Sequence, residues 1–391
     1  MNIADLDKKN IVIWGKGREG KAAEEFIRSR LPTAAITFVD EASGEDISAV
    51  VKFADVIVKS PGVSLYHPLL KGKDVTSLMN LWFAQKPDAK TICITGTKGK
   101  STTAALVGHV FKKLGYVSAV LGNIGVPVSE APEGAEIMVI ETSSFQAANF
   151  DGLCDIGVVT SLYQEHLDWH RDVETYQRDK MNLLQHSKTK IVHPQVVESG
   201  IDLPGDVIVC QPVTARIPNE YLSRAHNLNN VAIALEVFRA LGIDHDAAIE
   251  AMRDFKGLPH RQQELGELSG VLYVDDSIAT TPQAAIAAMN VYKDRPVTLI
   301  VGGHDRGIDY SPLVEYIGKN RTHVVGLGPS GRRILQNVTG EGASSMAEAV
   351  QKAKAVTPQG GVILLSPAAP SFGLFRDYIE RGEAFAKESG F

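Results

Sequence analysis

Residues 95–102 read Thr95-Gly96-Thr97-Lys98-Gly99-Lys100-Ser101-Thr102. An apolar run, Thr91 to Thr95, leads into them, and an amphipathic run, Ser101 to Leu114, follows. The glycines therefore fall between a strand and a helix. There they free backbone N–H groups to turn toward a phosphate, and the helix start adds the positive end of its dipole. Lys100 can reach outer phosphates and Ser101 can ligate Mg²⁺. Ile94 stands where the longer form of this loop has a further glycine. The plain alternative is a glycine turn with a surface lysine; strand, turn and helix in sequence favour the nucleotide reading.

The same rhythm of short apolar runs and longer amphipathic ones spreads outward in both directions. Toward the N-terminus, Ile11 to Trp14, Ile36 to Val39 and Val56 to Val58 read as strands and Arg18 to Arg30 as a helix. Toward the C-terminus, strands fall at Ile137 to Ile140, Ile156 to Thr160, Val271 to Val274, Val297 to Val301, Val324 to Leu327 and Val362 to Leu365. Helices fall at Asn227 to Leu241 and Asp244 to Phe255. Alternation of this kind predicts an α/β protein of open, mostly parallel sheets with flanking helices. The polar, proline-bearing segment Ala84 to Lys90 and the breaker Gly257-Leu258-Pro259 divide it into three domains. They are 1–88 (Rossmann-like), 89–256 (central, with the phosphate loop) and 257–391 (Rossmann-like).

The chain has 391 residues, 44% hydrophobic and 22% charged, with a formal net charge of −6. That composition fits a folded multidomain protein and gives no general affinity for nucleic acid. Cys93, Cys154 and Cys210 form no CxxC pair, which argues against a disulfide framework or a cysteine-built zinc site and fits a reducing cytosol. No apolar run approaches a membrane span and the N-terminus does not read as a signal peptide, so a cytoplasmic protein without membrane insertion is expected.

Several further motifs fall at the ends of strands. Gly15-Lys16-Gly17-Arg18-Glu19-Gly20 follows the first strand, and Asp40 closes the next. The pattern is close to a dinucleotide fingerprint, though a single nucleotide diphosphate or an empty scaffold fits as well. Ser60-Pro61-Gly62 either lines the same crevice or is a plain turn. Glu141 ends a strand of the sheet that carries residues 96–102, where a carboxylate can hold Mg²⁺. Without that loop it would read as a cap. His166 and His170 are spaced i, i+4; on a helix they would share a face, as ligands or, more often, as structural residues. Lys180 alone reads as solvated. Asn227 and Asn230 can present amides to one ligand or cap a helix. His260-Arg261 follows the breaker, and Asp275-Asp276-Ser277 and Ser371-Phe372 follow strands of the third block.

In this order the motifs resemble the Mur ligase family, the ATP-dependent amide ligases of peptidoglycan precursor assembly. The resemblance also takes in Gly122-Asn123-Ile124-Gly125, Tyr176 to Lys180, Gly302-Gly303 and the tail from Ser366 to Gly382. It is strongest to the branch that adds D-glutamate to UDP-N-acetylmuramoyl-L-alanine. It implies a first domain for the UDP moiety, a central one for ATP and a third for the amino acid. Gly96, Thr97, Lys98, Gly99, Lys100, Ser101, Thr102, Asn230, Arg261 and Asp276 would contact ATP. Ser101, Glu141, His166 and a carbamylated Lys180 would hold Mg²⁺, with Lys100, Glu141, His166 and Lys180 in the catalytic set. Gly15, Lys16, Gly17, Ser60, Gly62, Asn123, Ser143 and Gln146 would meet the UDP substrate. Thr280, Arg306, Ser371, Phe372 and Tyr378 would meet the amino acid. A cytoplasmic monomer working on small molecules is implied.

The amino-acid pocket departs from the branch. Ile278 follows Asp276-Ser277 where lysine is usual, and Arg306 replaces a second lysine. Glu41-Ala42 follow Asp40, where a hydroxyl and a cation are common. L-glutamate is therefore the serious alternative. An NAD-dependent oxidoreductase built on Gly15 to Gly20 leaves the phosphate loop unexplained. A non-catalytic nucleotide binder leaves Lys100, Ser101, Glu141, His166 and Lys180 unexplained.

Overall fold

A computed structural model describes every residue except 42, 43, 45, 124, 125 and 321, and at position 226 the backbone alone. It divides into two compact units, Met1–Phe255 and Lys256–Phe391. The first unit holds two sheets. In the first sheet, β1 (Asn10–Trp14), β2 (Ala35–Val39), β3 (Val56–Lys59) and β4 (Asp74–Thr76) run parallel in the order β2-β1-β3-β4. In the second, β5 (Lys90–Thr95), β6 (Ser118–Gly122), β7 (Ile137–Glu141), β8 (Cys154–Val159), β9 (Ser187–Val192) and β10 (Ile208–Val209) are parallel in the order β10-β9-β8-β5-β7-β6.

Both sheets reverse direction at their first strand. The chain leaves β1 to one side for β2 and returns on the other for β3, and it leaves β5 toward β7 and β6 before returning to β8. Open α/β sheets bind ligands at the carboxyl ends of strands beside such a reversal. The glycine turns after β1 and β5 thus occupy the two favoured positions. β3, β7 and the apolar part of β5 are buried along their length, because helices cover both faces of a parallel sheet. The expected boundary at 88/89 separates the two sheets but lies inside one compact unit, whose core runs from Ile13 and Phe26 through Leu81 to Ile140 and Leu183.

The second unit has one sheet, ordered β11-β12-β16-β13-β14-β15. Its strands are β11 (Gln263–Leu268), β12 (Val271–Asp275), β13 (Val297–Val301), β14 (His323–Leu327), β15 (Gly340–Ala343) and β16 (Val362–Leu365). All neighbours are parallel except β11 and β12. Among the described residues no helix is long and apolar enough to cross a membrane.

Candidate active site

The loop after β5 turns on two glycines. Gly96 has φ 142° and Gly99 has φ 86°, values that L side chains rarely adopt. A Cβ on Gly96 would lie 2.1 Å from Thr160 Oγ1, and one on Gly99 would lie 2.5 Å from Asn230 Oδ1. Gly99 caps the helix Lys100–Lys113, whose first turn has no acidic residue. The strand end of β8 pins the loop: Thr97 N donates to Ser161 O (2.8 Å) and Lys98 N to Ser161 Oγ (2.8 Å). Thr97 Oγ1 and Tyr176 Oη are 2.7 Å apart. The Lys100 ammonium folds back onto the carbonyls of Gly96 (2.7 Å) and Thr97 (3.0 Å). Lys98 pairs with Glu165. Asn230, in the helix Ala225–Ala240, donates to Asn227 Oδ1 (3.2 Å) and accepts from Thr103 Oγ1 (3.2 Å) against this loop.

Lys180 is not solvated. It lies in the helix Val173–Gln185, is 2% exposed, and donates to Gly96 O at 2.9 Å, with its ammonium 4.8 Å from the Tyr176 ring centroid. Periodicity alone missed this, because Asp179 and Lys180 read as a polar patch. Burial first, and then the neighbouring Lys100 ammonium, hold its amine well below the ordinary lysine range. Glu141, at the end of β7, is 2% exposed. Its Oε1 accepts from Asn123 Nδ2 at 2.9 Å, while Oε2 is buried without a partner. An orphaned carboxylate oxygen of this kind is what a hard divalent cation satisfies, so Glu141 suits Mg²⁺. Ile124 and Gly125, beside Asn123, lie outside the described residues, as do Ala42 and the side chain of His226.

The two histidines do not share a helical face. His166 is itself a left-handed cap (φ 54°) before the short helix Leu167–His170, and its side chain is about half exposed. Partial burial lowers its pKa, with Glu165 opposing. His170 is fully buried, with Nδ1 2.6 Å from Asp179 Oδ2 and Nε2 3.0 Å from Ser144 Oγ. Tyr66 Oη donates to Asp179 Oδ1 at 2.6 Å, tying the segment after β3 to the helix of Lys180.

In the first sheet, Ser60 Oγ donates to Gly15 O (3.4 Å), and Lys16 N donates to Asp40 Oδ2 (3.2 Å). Gly17 caps the helix Arg18–Arg28. Ser143 and Gln146 form a capping box, and Gln146 Nε2 reaches Glu19 Oε1 at 3.2 Å. Gln146 thereby joins the loop after β7 to the turn after β1. Gly62 has open space around its Cβ position. Lys59, which no motif flagged, is buried at the end of β3, with Asp179 and Glu19 acting on it through charge.

In the second unit, Asp276 is buried and accepts from Ser366 Oγ (2.7 Å) and Gln262 N (3.1 Å); burial raises its pKa to about 7. Nε of Arg261 is buried without a partner. His260 Nδ1 meets Asp275 Oδ2 at 2.7 Å, a pairing that raises the imidazole pKa. Arg306 donates to Thr280 O at 3.1 Å. Ser371 is buried, Phe372 is exposed, and Tyr378 begins the helix Tyr378–Ser389, its carbonyl accepting from Ser277 Oγ (2.7 Å). Arg381, unflagged by its sequence, is fully buried and binds Ser277 Oγ, Ser277 O and Ala369 O.

A strand-borne phosphate loop, a buried lysine and a carboxylate with a free oxygen describe an ATP-dependent ligase site. The chain belongs to the Mur ligase family: residues 94–195 match the Mur ligase middle domain and 260–369 the Mur ligase, glutamate ligase domain. It is 37% identical over 444 residues to a Micromonospora sp. protein named UDP-N-acetylmuramoyl-L-alanine--L-glutamate ligase, covering 99% of this chain and 98% of that one. A protein of the same name from Xanthomonas euvesicatoria pv. vesicatoria is 36% identical over 457 residues, covering 100% and 97%. Among solved structures, the chain is similar to UDP-N-acetylmuramate-alanine ligase MurC from Thermotoga maritima (TM-score 0.60, 17% identity, covering 97% and 98%). It is also similar to MurF ligase from Thermotoga maritima in complex with ADP (TM-score 0.59, 16% identity, covering 99% and 96%). The fold is thus that of the Mur ligases, and the protein is an ATP-dependent ligase of peptidoglycan synthesis.

Proposed function

We propose that this ligase joins L-glutamate, rather than the expected D-glutamate, to UDP-N-acetylmuramoyl-L-alanine in the cytoplasm. The name shared by relatives matched at 35–37% identity over nearly the whole chain carries this reading. Ile278 supports it, since an apolar side chain follows Asp276-Ser277 and cannot pair with a carboxylate. Arg306 remains able to clamp one bidentately.

A carboxylate is a poor electrophile at neutral pH. Attack of the alanyl carboxylate oxygen on the γ-phosphorus of ATP releases ADP and gives an acyl phosphate. The glutamate amine then attacks the acyl carbon; phosphate leaves and the nitrogen loses a proton to form the amide. Lys100 stabilises charge on the transferring phosphoryl oxygens. Gly96, Thr97, Lys98, Gly99, Ser101 and Thr102 cradle the triphosphate, with Asn230, Arg261 and Asp276 as further contacts. Ser101, Glu141, His166 and Lys180 would hold Mg²⁺, which when bound neutralises phosphate charge. Lys180 reaches that role as a carbamate: a buried, neutral amine attacks CO₂, loses a proton and becomes an anion. Gly15, Lys16, Gly17, Ser60, Gly62, Asn123, Ser143 and Gln146 take the UDP substrate, and Thr280, Arg306, Ser371, Phe372 and Tyr378 take glutamate.

Phosphate release with UDP-N-acetylmuramoyl-L-alanine, ATP and each glutamate enantiomer tests the reading. Turnover with the L form is expected. A clear preference for the D form would restore the other assignment, and no release with either would remove the acceptor assignment. Ile278→Lys should move the ratio toward D-glutamate.

A further inference from the structure

Lys59 is the last residue of β3, one position before Ser60-Pro61-Gly62, and is 2% exposed. No hydrogen bond or ion pair ties its ammonium to any described residue. The Trp169 ring centroid is 5.3 Å away, and Asp179 and Glu19 act on it through charge alone. Both carboxylates are engaged elsewhere, Asp179 by His170 and Tyr66 and Glu19 by Gln146. Trp169 is held by its own bond from Nε1 to Pro61 O (3.1 Å). The lysine stem is therefore buried, and its ammonium has two negative charges nearby and no close acceptor.

A buried ammonium without a hydrogen bond is costly unless something completes it. Burial brings its ionisation down to about 7 even against the pull of Asp179 and Glu19, as expected for a cation lacking a close anion. The residue also stands at the carboxyl end of a strand beside the reversal at β1, next in sequence to Ser60, which bonds Gly15, and within charge range of Glu19, which bonds Gln146.

We propose that Lys59 is a specificity-determining residue whose ammonium binds an anionic oxygen of the nucleotide-linked acceptor. This rests on the acceptor assignment made under the proposed function. Two parts of that acceptor carry such oxygens, the diphosphate and the terminal carboxylate.

Calorimetric titration of wild type, Lys59→Met and Lys59→Arg with UDP and with UDP-N-acetylmuramoyl-L-alanine, without ATP, separates them. Loss of one charge-assisted contact should weaken acceptor binding of Lys59→Met by about tenfold or more. KM for ATP should stay unchanged and Lys59→Arg should recover part of the affinity. A parallel loss for UDP identifies the diphosphate; a loss confined to the full acceptor identifies the carboxylate. Lys59→Met binding the acceptor as tightly as wild type would overturn the proposal alone. So would wild-type affinity in Glu19→Gln/Lys59→Met, which would reduce Lys59 to a counter-charge for Glu19. Wild type binding neither compound would overturn the acceptor assignment and this proposal together.

Discussion

The turns after β1 and β5 share a pattern, glycines between a parallel strand and a helix, yet they are electrostatically different. After β5 the helix start carries Lys100 and no acid, and the lysine belongs to the loop, bonded to two loop carbonyls. After β1 the helix start carries Glu19, and Asp40 accepts the Lys16 N–H. A buried cation, Lys59, comes from the neighbouring strand and has no close acceptor. A helix N-terminus favours anions only when its first turn leaves the dipole unopposed. The β5 helix start thus leaves its dipole unopposed for a phosphate, while at the β1 turn the charge of Glu19 would have to be offset, as Lys59 can do, before a diphosphate could sit there.

The largest test removes the lysine from the β5 turn. Lys100→Ala should lower kcat by about a hundred- to a thousandfold, the usual cost of one preorganised charge-stabilising group, with the thermal midpoint unchanged. Wild-type turnover would mean that this loop does not carry the phosphoryl transfer. Lys180→Ala should follow closely, and wild-type protein in bicarbonate should carry one added carboxyl group by native intact mass, absent from Lys180→Ala. A bare amine at the working pH would remove the carbamate from the scheme.

Backbone geometry separates the two helix-capping glycines next, although Gly15 of the β1 turn is as left-handed and as crowded as Gly96. Gly99→Ala forces an L residue into φ 86° with its Cβ on Asn230 Oδ1. The left-handed conformation alone costs roughly 1–2 kcal/mol, so the thermal midpoint should fall and KM for ATP rise. Gly17 has φ −73° and open space around its Cβ position, so Gly17→Ala should leave the midpoint where it is. Equal losses in the two variants would show that the glycines serve the same purpose, contrary to the geometry.

How far the sequence announces these features depends on burial. Strands covered on both faces, such as β7 with Ile-Met-Val-Ile, read as continuous apolar runs, and so do β1 and β16. β9 (Ser-Lys-Thr-Lys-Ile-Val) and the edge strand β15 (Gly-Glu-Gly-Ala) carry too little apolar signal to be recognised; backbone pairing to neighbours defines them. The phosphate loop was visible because its chemistry is local. Lys180 was visible only through the family resemblance, and Lys59 and Arg381 not at all. A buried lysine is marked by what folds over it from distant segments, and in the chain it looks like any surface lysine.

That invisibility has a measurable counterpart at Lys59. Folding lowers its pKa from the ordinary lysine value to about 7. Below pH 7 both folded and unfolded chains hold the proton, and the full penalty of burying charge is present. Between about 7 and 10.5 the unfolded chain keeps the proton that the folded one has released, so wild-type stability rises with pH through that window. Every tenfold change in proton affinity on folding corresponds to about 1.4 kcal/mol, which makes a few kcal/mol the ceiling. Lys59→Met keeps the volume and removes the charge. It should therefore raise the thermal midpoint by several degrees at about pH 6, with the advantage shrinking steadily toward about pH 10. Lys100→Ala, whose ammonium is bonded to the loop, should show no such trend. A pH-independent difference between Lys59→Met and wild type would mean that the ammonium already has a close anionic partner. The contrast between a lysine held by its loop and one waiting for an anion would then disappear.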